Sequence, residues 1–337
     1  MLYVTTRSNT DTYTSHKALS TNTAPDGGHF VPFKLRRFSD REIAGLQEKS
    51  FGQTVADVLN YFFNAGLSAW DVDFAIGKNP SNIHAMNHRM LVCELWHNPG
   101  AGLDYCIQRI YEKLCEGKSA DKTPGDWAKT SVRIAVLFAA YGQLLQQKLL
   151  NTDDQLDLVV SAENFRMPMA AWYARSMGLP IQTVICACDD RSNVWELIHK
   201  GSFATAGVSE GLLLGVEKLV SASLTAKEAI RFAEVCGKNG IYTLDAESIP
   251  AFSNGFYCTV AGKGRADATV NSVFRSNHYL MDPIAALCFS ALQDYRAGTG
   301  ISQVSLLLAE SSPMNHSQQI MKATGLTQAD LRKIITR

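Results

Sequence analysis

The sequence predicts an α/β fold built on a parallel sheet flanked by helices. Residues 156–160, 167–176 and 181–187 read as buried strand, helix and buried strand, a unit that implies parallel strands joined by a right-handed crossover. The downstream chain keeps alternating, with helices over 226–239 and 283–295 and strands over 240–244 and 304–308. The 337-residue chain is 46% hydrophobic and 19% charged, enough to bury a large core and too apolar for disorder.

The opening segment, to about Val31, is polar and rich in turns, with Pro25-Asp26-Gly27-Gly28 its strongest turn signal. From Ser39 the pattern becomes helical. Ser39 and Glu42 fit a capping box, and Ile43, Leu46, Phe51, Val55, Val58, Leu59 and Phe62 recur at helical spacing. Residues 91–96 predict a short strand ending at an Asn98-Pro99-Gly100 turn. A helix over 103–115 runs into the clearest loop of the chain, Glu116 to Asp126, and a long apolar helix follows over 132–150. A terminal helix starts at Thr327.

Lys plus Arg and Asp plus Glu are 32 each, so nothing directs the chain to nucleic acid or anionic lipid. The densest basic run, Lys34-Leu35-Arg36-Arg37, reads as a solvated loop. No apolar stretch approaches the roughly 20 residues that span a bilayer. Met1-Leu2-Tyr3-Val4 opens no basic-then-apolar signal segment, so a cytoplasmic protein is expected. Eight cysteines without CxxC spacing predict reduced, buried thiols and no metal site.

Five segments, in order, resemble threonine synthase, a fold-type-II pyridoxal-phosphate enzyme. They are Tyr3-Val4-Thr5-Thr6-Arg7, the run from Ala24 to Pro32, Glu94-Leu95-Trp96-His97-Asn98-Pro99, residues 161–181, and Tyr279-Leu280-Met281-Asp282-Pro283. The resemblance implies a fold-type-II core (tryptophan synthase beta-like) over 91–337 with a reduced small domain, a threonine-synthase-like helical extension over 1–90, and a homodimer.

The departures bear on function. The family's Schiff-base lysine falls on Asp104, and a carboxylate cannot form an aldimine. The family's phosphate cradle, Gly-Asn-Phe-Gly, is Glu163-Asn164-Phe165-Arg166 here. At an effective ε near 20 and ~4 Å, Glu163 would repel a phosphate by about 4 kcal/mol per unit charge. The family's Ser-Gly-Asp-Thr-Gly substrate loop has no counterpart between Leu103 and Thr130, and its Thr-Ala-His-Pro is Glu310-Ser311-Ser312-Pro313. Pyridoxal phosphate is therefore expected to be absent.

Each candidate residue carries two readings. Asp104 is an acid stabilising a helix N-terminus or a general base lining the emptied cavity. His97 is hydrogen-bonded in the core or catalytic. Glu163 and Arg166 cap a helix as a surface pair, or with Asn164, Phe165 and Glu310 they bind a small polar or anionic metabolite where the phosphate lay. Asp189-Asp190-Arg191 lies where parallel sheets bind ligands, and Tyr279 and Asp282-Pro283 read as a helix cap. For the whole chain three readings stand: a cofactor-independent enzyme of proton transfer, elimination, addition or cyclisation; a non-catalytic scaffold; and residual pyridoxal-phosphate lyase activity.

Overall fold

The computed structural model describes residues 1–78, 80–97, 102–188 and 193–335. Among them the strands form three sheets. The largest has β4 (Asn82–Asn87), β5 (Met90–Glu94), β6 (Leu156–Ser161), β7 (Ile181–Cys188), β10 (Phe256–Val260) and β11 (Ser305–Ala309), in the order β10-β7-β6-β11-β5-β4. All neighbours are parallel except β4, which pairs antiparallel with β5 at the edge. The small sheets are β2 (Tyr13–Thr14), β1 (Leu2–Thr5), β3 (Phe30–Pro32), and β8 (Ser202–Ala204) with β9 (Ile241–Thr243).

Period-two alternation along buried strands divides the core into two layers. Leu306 and Leu308 of β11 face the same cluster as Leu91, Leu158 and Val160, packed with the 126–146 and 166–176 helices. Leu307 and Ala309 face the opposite cluster with Val92, Val159 and Ile185, under the Pro283–Thr299 helix. Burial on both faces is why these strands read as unbroken apolar runs, and each fully buried Leu contributes about 2 kcal/mol.

The sequence reading differs at three places. The opening segment is not only turns: Tyr3, Val4 and Phe30 are buried, and Tyr3 donates its hydroxyl to the Phe62 carbonyl at 2.9 Å. Short strands of two to four residues with few apolar positions give little periodicity to detect. The strand expected over 240–244 is β9, outside the main sheet; β10 is the neighbour of β7, and its half-exposed edge position hides it. The long helix begins at Asp126 rather than 132, because Gly125 caps it and Asp126 sits in the first turn. The Asn98-Pro99-Gly100 turn and the Asp189-Asp190-Arg191 loop lie outside the described residues.

One pair of adjacent, buried, opposite charges locks the N-terminal sheet to the core. Glu217, in the Glu210–Ser223 helix, accepts from Arg7 Nε and Nη2 at 3.0 and 2.9 Å and from the Thr6 hydroxyl. Its neighbour Lys218 forms an ion pair with Asp126 and donates to Thr130 Oγ1 at 3.0 Å. Glu217, Lys218 and Asp126 are each under 5% exposed.

Residues 116–119 and 121–123, between the Leu103–Leu114 and Asp126–Gln146 helices, lie mostly on the surface. The far end is tied down, since Asp126 N–H donates to Asn22 Oδ1 at 2.9 Å and Gly125 packs on the Thr21 carbonyl. Limited trypsin digestion should therefore cut after Lys118 or Lys122 before any site within 156–188. First cuts in the strand-helix-strand region would show the loop to be covered.

Candidate functional site

A cavity of about 270 Å³ opens at the carboxyl ends of β6 and β11, where parallel sheets present ligand sites. Four chain segments build it: the start of the Leu103–Leu114 helix, the turn after β6, the start of the Pro283–Thr299 helix, and the turn after β11. Asp104, Glu163, Asn164 and Glu310 line it, together with Asp282, Ser161 and Ser311. The structure thus brings four of the seven candidate residues together.

The first and last segments touch through a glycine. Gly102 has φ +117°, and a Cβ there would stand 2.7 Å from the Glu310 carbonyl oxygen. Leu103 N–H donates to that same oxygen at 3.3 Å, so the helix carrying Asp104 starts against the strand end carrying Glu310. Beneath both lies Arg133, 2% exposed, whose Nη2 donates to Asp104 Oδ1 at 2.9 Å and lies 4.0 Å from Glu310 Oε2. Sequence reasoning missed Arg133. The available signal was a lone cation amid Val132, Ile134, Ala135 and Val136, all buried, where a charge must find a partner.

The carboxylates differ in environment. Burial raises the pKa of Glu310, Arg133 opposes that rise, and Asp104, Asp282 and Glu163 add to it. Burial also raises Asp282, which caps its helix by accepting from Ile284 and Ala285 N–H at 2.8 and 3.2 Å. The Asp104 side chain is 92% exposed, so the desolvated base expected at that position is not what the fold makes. Arg133 holds it from below and the cavity mouth leaves it open above.

The turn after β6 is closed on itself. Glu163 N–H donates to Ser161 Oγ at 3.2 Å, Phe165 N–H to the Ala162 carbonyl at 3.2 Å, and Arg166 N–H to Asn164 Oδ1 at 3.1 Å. Phe165 takes the left-handed conformation at φ 52° and is fully buried 5.8 Å from Phe256, so it is a core residue and not a ligand contact. Arg166 Nε faces Asp126 at 3.8 Å, away from the cavity; the buried carboxylate outcompetes any anionic anchor role. Burial would raise Asp126, but the Lys218 ammonium overrides it and the carboxyl ends below its ordinary range.

His97 lies in a second cleft, with His84, Tyr279 and Ile335, apart from Asp104. Glu94 there is buried and accepts from Tyr279 Oη at 2.7 Å and Asn82 at 2.9 Å, with His97 Nε2 at 2.6 Å. Burial pushes Glu94 up, yet the bonds from His97, Tyr279 and Asn82 win and its pKa is lowered. Among the described residues no acidic, cysteine or histidine group could hold a metal ion, no disulfide forms, and no helix is long and apolar enough to cross a membrane.

Residues 2–78 match the threonine synthase N-terminus family. The whole chain superposes on pyridoxal-phosphate-bound threonine synthase from Brucella melitensis with a TM-score of 0.83 at 17% identity, covering 95% of that chain. Threonine synthase from yeast superposes with a TM-score of 0.78 at 13% identity, over 99% of this chain and 94% of that one. Threonine synthase-like 1 of Mus musculus is 31% identical over 78 residues, 23% of this chain and 10% of that protein. The Homo sapiens protein is 20% identical over 174 residues, 48% of this chain and 23% of that protein.

Truncating Phe165 to Ala should cost about 3–5 kcal/mol of stability, as for any buried core phenylalanine, measured by urea unfolding. A ligand-contact residue would leave the midpoint nearly unchanged, which would return Phe165 to the site.

Proposed function

Since the chain belongs to the threonine synthase family by its N-terminal domain and carries that family's fold throughout, we propose that its cavity binds a small molecule and acts on it without pyridoxal phosphate. One observation carries the reading: where the resemblance places the Schiff-base lysine stands Asp104, bound to the buried Arg133. Among the described residues no lysine lines the cavity. The turn that would cradle a phosphate spends its Glu163, Phe165 and Arg166 N–H groups on its own acceptors, and adds the Glu163 carboxylate. These residues do not fit the cofactor, and the chemistry rests on the chain's own side chains.

Glu310 is the group best placed for proton transfer. Burial raises its pKa above the ordinary carboxylate range, the direction in which a carboxyl becomes more useful for proton transfer. Arg133 fixes Asp104 and lends partial positive charge to an anion developing near Glu310. The reactions this supports are proton transfer, elimination, addition or cyclisation. A non-catalytic scaffold is the second reading, favoured by the exposed, stacked Trp70 and Phe74 rings, 66% and 67% exposed. The cavity favours the enzyme, because a scaffold needs no polar cleft with a perturbed carboxyl.

Mixing the protein with excess pyridoxal phosphate should give no visible aldimine band beyond that of surface lysines. A band that survives dialysis and, after borohydride reduction, maps to one lysine would overturn the reading.

A pH series tests Glu310 itself. Its folded pKa lies above the unfolded one, so its contribution is complete below the unfolded value and declines as pH rises through the folded value. Glu310→Gln stays neutral and should gain thermal stability relative to the wild type as pH rises above the ordinary glutamate range, about 4.3. A flat difference would mark a well-solvated carboxylate at Glu310, and a shrinking one a carboxylate stabilised by Arg133; either would overturn the reading.

A further inference from the structure

We propose that the cavity takes a cationic amine bearing an apolar body, an inference that rests on the reading of the cavity as a small-molecule site. A second lobe of about 260 Å³ adjoins the first and shares Ser161, Glu163 and Ile284 with it. Its wall is mainly apolar, from Ala187, Ala266, Pro283, Ile284 and Leu287. The two lobes therefore offer one ligand a charged end and a hydrophobic end, joined at Glu163.

The charge of the first lobe sets the sign of the polar end. Asp104, Glu163, Asp282 and Glu310 line it; of the basic groups nearby, Arg133 is buried and committed to Asp104 and Glu310, Lys129 acts on Asp104 from outside the lining, and His316 stands toward Asp282 from the adjoining lobe. Arg166 is turned to Asp126. Asp282 accepts two cap N–H groups and Asp104 accepts from Arg133, which leaves Glu163 and Glu310 to receive an ammonium. A carboxylate or phosphate in the same place would meet acidic side chains and no free cation among the described residues that line the lobe. The apolar part of the ligand would then lie along Ile284 and Leu287, gaining by burial what the exposed mouth cannot give.

Phenethylamine and phenylacetate test this directly, since they share a shape and differ in charge. Calorimetry on the full chain near neutral pH should detect phenethylamine and not phenylacetate. Glu163→Gln should weaken phenethylamine about tenfold, the loss of one charge-assisted contact, and Leu287→Asn should weaken it through the apolar lobe. Phenylacetate binding with phenethylamine silent would overturn the amine assignment and leave the small-molecule reading standing. Silence from both, or amine binding untouched by both substitutions, would overturn the assignment as well. A stable pyridoxal-phosphate adduct would instead sink the cofactor-free reading on which it rests.

Discussion

Glu217 and Lys218 are neighbours in one helix, buried, oppositely charged, and aimed at different parts of the chain. Neither tolerates burial alone, because an unpaired ion in the interior costs several kcal/mol. Glu217 is satisfied by Arg7 and Thr6 from the N-terminal sheet, and Lys218 by Asp126 and Thr130 from the long helix. The three elements must therefore dock together or not at all. That docking fixes the start of the Asp126–Gln146 helix, and two turns further along the same helix stands Arg133.

The cavity inherits its order from that helix. Arg133 is buried with its guanidinium toward Asp104 and Glu310, two residues from segments far apart in sequence. A rigid planar fork suits such a bridge better than a flexible ammonium would. The same guanidinium reaches a carboxylate open to solvent, Asp104, and a more enclosed one, Glu310, whose pKa burial raises against its opposing pull.

Much of the fold was legible because strands buried on both faces and amphipathic helices write strong periodicities. Residues 156–187 gave their strand-helix-strand unit directly, and the helix expected from Leu103 begins there. The N-terminal strands and β10 were not, since two- to five-residue segments that are partly exposed carry almost no pattern. At the site, Asp104, Glu163 and Glu310 were singled out as motif departures and Asn164 as a motif match, and the four line one cavity. Phe165, Arg166 and His97 came from the same motif comparison, which says nothing about side-chain direction. Phe165 turns inward at its left-handed cap, Arg166 is drawn to a buried carboxylate, and His97 to Glu94. Arg133 is contributed from a helix whose motif resemblance is slight, so only its charge in an apolar run could have betrayed it.

Asp282 belongs to the cavity wall and to the skeleton at once. Its carboxylate caps the Pro283–Thr299 helix, which roofs one of the two hydrophobic layers. Glu163 faces solvent at the mouth and has no such duty, whereas Asp104, though exposed, is held by the buried Arg133. Mutational drift is therefore unevenly licensed around the cleft. Selection or laboratory evolution can rewrite the mouth at 163 and so change which molecules enter, while the back wall at 282 stays fixed because foldability holds it. A cleft with one immovable wall and a replaceable mouth is a scaffold on which specificity can change faster than architecture.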